Sequence, residues 1–146
     1  MAILGRVTMS SIIPVAVFCG SKTPIPSLTM EEHQFTLYDL RVETIEGDKP
    51  FVCRHQLGPN FEVRGENLHF LSDQPFSLYA LSALLPLLPA KQRPLNEYDW
   101  MATDHIIACP DPHCGAKFKI SRIGKQTVTR SDTTIEPLPD DNPWKE

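Results

Sequence analysis

Proline sets the first limit on this chain: its 146 residues carry fourteen prolines against seven glycines. Each proline fixes φ and removes an amide donor, so helix interiors and central strands are closed to it. Short elements joined by rigid turns are therefore expected, and long helices are not. A chain of this length reads as one domain, with a core large enough to fold without staples. Hydrophobic residues at 41% and charged residues at 22% are ordinary globular usage, which argues against a chain that is disordered throughout or spans a membrane.

Between the turns, hydrophobic periodicity marks the elements. From Gln34 to Ile45 the residues alternate, with Tyr38, Leu40 and Val42 on one side and Asp39, Arg41 and Glu43 on the other, the pattern of a half-buried strand. Residues 51–54, 61–64 and 68–71 read as further short strands in an antiparallel meander. Ser72 and Asp73 supply an N-cap for a helix over residues 76–88, where Leu78, Leu81, Leu85 and Leu88 recur at helical spacing and Pro86 and Pro89 kink or end it. Trp100 is expected to anchor the long loop that follows. Residues 105–109 read as a buried strand and residues 116–123 as an alternating one with Phe118 and Ile120 inward, joined as a hairpin by the intervening turn. The expected fold is α+β: a small antiparallel sheet of short strands with one main helix packed on it. Residues 1–33 read as a poorly ordered extension, residues 34–124 as the single domain, and residues 125–146 as an acidic, proline-rich tail.

The formal net charge is −4, and the fourteen Lys and Arg residues are scattered. Without a basic block or aromatics interleaved among cations, nucleic acid is not an expected partner. The most apolar stretch, residues 9–20, falls short of the ~20 residues of a membrane span. Pro14 interrupts it, and Val17-Phe18-Cys19 makes a poor signal-peptide cleavage site. The expectation is a cytoplasmic chain, away from membranes, with Cys19, Cys53, Cys109 and Cys114 reduced; secretion would instead allow two disulfides. No phosphate-binding glycine loop, Gly-x-Ser-x-Gly elbow or His-Glu-x-x-His helix occurs.

The most concentrated chemistry lies in Cys109-Pro-Asp-Pro-His-Cys114-Gly115. Two thiolates on one side of a tight turn can share a metal, and Gly115 gives the backbone a sharp reversal. The turn resembles half a zinc ribbon, although four residues separate its cysteines where a knuckle has two. Zinc needs four ligands, or three plus water, and the second pair is Cys53-Arg54-His55. Cys53, His55, Cys109 and Cys114 are thus the candidate ligands of a closed zinc site, with His113 in reserve. The competing readings make Cys53 and Cys109 small buried apolar residues, or pair a thiolate with an imidazole as nucleophile and base. Asp111, between two prolines, is read as an Asx-turn acceptor for the His113 amide. Lys91 and Arg93 follow the helix, where cations complement its dipole on a solvated face. Arg93 is also the candidate cofactor-binding residue, since its planar fork can anchor the carboxylate of a small organic acid.

Cys53-x-His55-x-x-Gly58-x-x-Phe61, the leucine-rich run from Leu78 to Arg93, and the Cys-Pro-Asp-Pro turn leading from Cys109 to the strand ending at Ile123 carry a resemblance over residues 34–124. On them the chain resembles a family of small, functionally uncharacterised bacterial and fungal proteins. The resemblance implies a domain unit without a defined activity, and through the fungal members a place in a small-molecule biosynthetic pathway. Its members often carry a cysteine at the start of the helix, where this chain has Phe76-Ser77. Three functional classes follow: a zinc-binding Cys/His domain, a small metal-free enzyme or enzyme accessory acting on an organic acid, and a non-catalytic interaction module. The oligomeric state is left open.

Overall fold

The computed structural model describes residues 33–144. The alternating segment forms β1 (Gln34–Ile45), and the remaining strands are β2 (Gly58–Arg64), β3 (Asn67–Phe70), β4 (Ile106–Ala108) and β5 (Lys117–Thr129). They make one antiparallel sheet in the order β3-β2-β1-β5-β4. β1 is its spine, pairing with β2 from Leu40 to Thr44 and with β5 from Gln34 opposite Thr129 to Ile45 opposite Lys117. Leu40 and Val42 are fully buried, together with Phe61 and Phe118 from the neighbouring strands. On the other face Glu62 is buried between two arginines. Arg41 donates to its Oε1 at 2.7 and 3.0 Å and Arg64 to its Oε2 at 2.6 and 2.9 Å. These bonds, Arg41's first, hold the carboxyl below its usual pKa, so it stays ionised.

The leucine-rich run makes two short helices rather than one. α1 (Leu78–Leu84) stops before Pro86, and α2 (Leu88–Gln92) starts again with Pro89 in its first turn. Pro86 has no amide to extend the ladder, whereas Pro89 sits where none is needed. The N-cap is Ser77, not Ser72 or Asp73: its Oγ accepts from the Ala80 amide at 3.4 Å. Phe76, just before that cap, packs on Phe61 and Phe118 with ring centroids 5.3 and 5.5 Å away, which sets the rotational phase of α1. Ala80, Leu84 and Leu88 consequently face the sheet, while Leu78 and Leu85, expected in the core, are 75% and 47% exposed. The fold is sheet-dominated, with the two helices on one face.

Other segments differ from expectation for local reasons. Residues 51–54 lie outside the sheet. β4 is a three-residue edge strand with Ile106 half exposed rather than a buried strand, and Trp100 is exposed rather than buried as an anchor. β5 continues past Gly124 to Thr129, pairing with Gln34 to Tyr38 across a register shift at Asp39/Leu40. Residues 125–129 therefore belong to the sheet rather than to a tail. Of the extension expected over residues 1–33, residues 1–32, Cys19 among them, lie outside the described residues. Among the described residues no helix is long and apolar enough to cross a membrane.

The helix phase has a direct test. Leu84→Ala should destabilise the fold by ~2–5 kcal/mol in urea unfolding, the cost of a buried leucine truncation. Leu78→Ala should change it by less than about 0.5 kcal/mol. Equal losses at the two positions would contradict this packing.

Candidate metal centre

The β4–β5 hairpin forms the first half of the site. The Cys109 amide donates to the Ala116 carbonyl at 2.9 Å and the Cys114 amide to the Asp111 carbonyl at 3.0 Å. Asp111 Oδ1 accepts from the His113 amide at 2.9 Å, the Asx turn its position between prolines suggested. Cys109 and Cys114 end buried, and His113 is exposed.

The second half is the segment between β1 and β2, laid directly on that hairpin. The Gly115 amide donates to the Pro50 carbonyl at 3.1 Å. A Cβ on Gly115 would stand 1.8 Å from the Lys49 carbonyl oxygen, and one on Gly47 would stand 1.9 Å from the Gly115 oxygen. Gly115 is thus required by the closeness of its neighbour, not by a reversal: its φ is outside the left-handed region. Lys117 Nζ to Asp48 at 3.1 Å and Lys49 Nζ to the Pro112 carbonyl at 3.3 Å tie the same two segments. Past this contact the His55 amide donates back to the Cys53 carbonyl at 2.7 Å, a three-residue turn that carries both side chains inward.

The four predicted ligands converge. One donor atom from each of Cys53, His55, Cys109 and Cys114 lies within 4.8 Å of the others, and Cys53 Sγ stands 4.0 Å from Cys109 Sγ. His55 is walled by Phe118, Phe76 and Phe51, with ring centroids 5.0, 5.9 and 6.5 Å away. Its Nε2 is buried and, among the described residues, has no hydrogen-bond partner. Burial lowers the His55 pKa, which keeps the ring neutral. Burial, then the neighbouring thiols, pushes Cys53 up to about 11, and burial raises Cys109 as well. Burial would also raise Cys114, but amides of Cys53, Ala116 and Val52, with the Cys109 thiol, bring it down to about 7.

Arg93 is placed elsewhere, at the rim of a cleft of about 440 Å³ beside α2. Its guanidinium lies 4.8 Å from the Phe35 ring centroid, and Glu66 lines the same cleft. The residues that sequence reasoning missed are the supports: Gly47, the amides around Cys114, and the phenylalanines around His55. Only the clustering of aromatics beside Cys and His hinted at the last. Searches against protein-family models, curated proteins and solved structures found no match to this chain.

Two outcomes are expected. Gly115→Ala should weaken metal affinity by roughly 10–100-fold, the usual cost of displacing a ligand's support, as measured by competition with a chromophoric chelator. Gly124→Ala, whose Cβ would meet only the Asp39 side chain at 3.2 Å, should leave affinity unchanged. Because Cys53 and Cys109 hold their protons at pH 7 and Cys114, at about 7, holds its proton about half the time, metal uptake at pH 7 should release roughly two to three protons, and affinity should fall as pH is lowered. Calorimetry in buffers of different ionisation enthalpy reads that release.

Proposed function

We propose that this chain is a zinc-binding domain in which Cys53, His55, Cys109 and Cys114 form a closed, structural centre. The observation that carries the reading is the convergence of all four donor atoms within 4.8 Å, from segments more than fifty residues apart. Three thiols and an imidazole are a donor set suited to zinc. Zinc–sulfur bonds of about 2.3 Å in a tetrahedron put sulfurs about 3.8 Å apart, close to the 4.0 Å between Cys53 and Cys109. A metal among the four gives the orphaned, neutral His55 the partner it lacks. A structural role fits better than a catalytic one, because four protein ligands leave no open coordination position. Among the described residues, five surface cavities are lined without any of the four candidate ligands. The centre's work is then to staple the segment after β1 onto the late hairpin.

Elemental analysis of untagged protein should find one zinc per chain, and His55→Ala or Cys114→Ser should reduce it well below that. Chelation should lower the melting temperature. A free metal concentration a hundredfold above Kd stabilises by about 2.7 kcal/mol, so the shift is readily measured. A chain that purifies without metal, takes up none, and melts unchanged with zinc would sink this reading.

A further inference from the structure

The helix-covered face of the sheet holds a second polar feature, independent of the cysteines. A cavity of about 240 Å³ opens between α2, the helical turn Trp100–Ala102 and β5. Leu40 and Ile120 form its buried floor and Met101 part of its wall, while Lys91, His105 and Arg122 bring nitrogen to it and no Asp or Glu lines it.

Lys91 is 5% exposed. Its Nζ donates to the Met101 carbonyl at 2.7 Å, and none of the ion pairs among the described residues includes it. An ammonium has three donors; among the described residues only one of these three is answered, and the side chain lines the cavity. Burying a charge in that condition is costly unless something pairs with it. Burial lowers its pKa and the Arg122 charge adds to that, while Asp104 and Asp99 oppose the shift only from beyond ion-pair distance. Arg122 is held rigid beside it. Its Nε and Nη2 donate to the Lys91 carbonyl at 3.1 and 3.0 Å, Nη2 also reaches the Arg93 carbonyl at 2.7 Å, and its guanidinium lies 3.9 Å from the Tyr38 ring centroid. Nη1 makes no hydrogen bond among the described residues.

We propose that this cavity binds a small aliphatic carboxylate. The carboxylate sits between Lys91 Nζ and Arg122 Nη1, and the hydrocarbon body lies on Leu40 and Ile120. The volume is below the ~300–1,000 Å³ of pockets for drug-sized ligands, which limits the body to a few carbons. Donors fixed in advance by backbone carbonyls suit a planar carboxylate, and the apolar floor disfavours a fully hydrated anion such as inorganic phosphate. Arg93 is not the anchor, since Glu66 shares its cleft and would repel an anion.

The test is a titration of the full chain, as purified, with butyrate, butylamine and inorganic phosphate, followed by amide NMR shifts. Butyrate should give saturable shifts at Lys91, Met101, His105 and Arg122, and butylamine none. Lys91→Met keeps the length and removes the charge, and should weaken butyrate at least about tenfold, the scale of one charge-assisted hydrogen bond. Arg122→Lys keeps a cation, loses Nη1 and the carbonyl bonds that position it, and should weaken it too with the fold spectrum intact, which provides the check if Lys91→Met does not fold. Phosphate saturating the same amides without butyrate doing so overturns the proposal. So do butyrate shifts that stay linear and scattered, or affinity unchanged in a folded variant.

Discussion

Two backbones in this protein approach so closely that neither tolerates a side chain, and the candidate site depends on that approach. Cβ atoms placed on Gly47 and Gly115 would stand within 2 Å of the opposing backbone, so the segment after β1 and the tip of the β4–β5 hairpin meet main chain to main chain. One hydrogen bond, from Gly115 to Pro50, closes the contact. Everything in the cluster follows from its position. Cys53 and His55 begin three residues beyond Pro50, Cys114 immediately precedes Gly115, and the amides that stabilise the Cys114 sulfur come from both sides of the junction. A larger residue at either glycine would part the two ligand pairs before it disturbed any ligand.

Around that junction polar chemistry is arranged within apolar walls. His55 sits among three phenylalanine rings, which removes water from it, keeps it neutral, and leaves its buried nitrogen unsatisfied. The thiols are arranged unequally, two raised by burial and one lowered by converging amides. A neutral imidazole and one thiol already near ionisation are the forms a divalent ion takes up first, and the remaining protons are displaced by the ion itself. The same phenylalanines fix the phase of α1 through Phe76, so the core and the candidate centre share their packing.

Much of this was legible in the sequence where the signal is local. Period-two alternation gave β1 and the start of β5, and the Asp111 turn followed from its flanking prolines. The four candidate ligands were found by chemistry, because Cys-x-His and a Cys–Cys turn are short patterns that need no fold to be seen. The route by which they meet was not legible. Residues 51–54 read as a strand yet lie outside the sheet, and the actual link is a glycine contact that depends on two distant backbones. The leucine pattern failed for a related reason: six leucines and three alanines between Leu78 and Arg93 fit several helix phases, and Phe76, packed by tertiary contacts, selects among them. Lys91 shows the same limit. A lysine at a helix end is ordinarily solvated, and only the positions of Met101 and Arg122 show that this one is buried.

β5 connects the two sites. Phe118 touches His55 at the cluster, Ile120 floors the cavity, and Arg122 stands at its mouth, all three on the helix-covered face. At about 3.3 Å per residue, the strand carries the cavity from roughly 7 Å at Ile120 to roughly 13 Å at Arg122 away from Phe118. The hairpin partner is shared as well, since the Ile120 amide bonds the His105 carbonyl at 2.8 Å while Cys109 bonds Ala116 at 2.9 Å. β4 is only three residues long and forms a sheet edge, so its hold on β5 is weak without help at the turn. A metal bound at Cys109 and Cys114 would clamp that turn from the far end. It would thereby fix His105 against Ile120, and the shape of the cavity mouth with it.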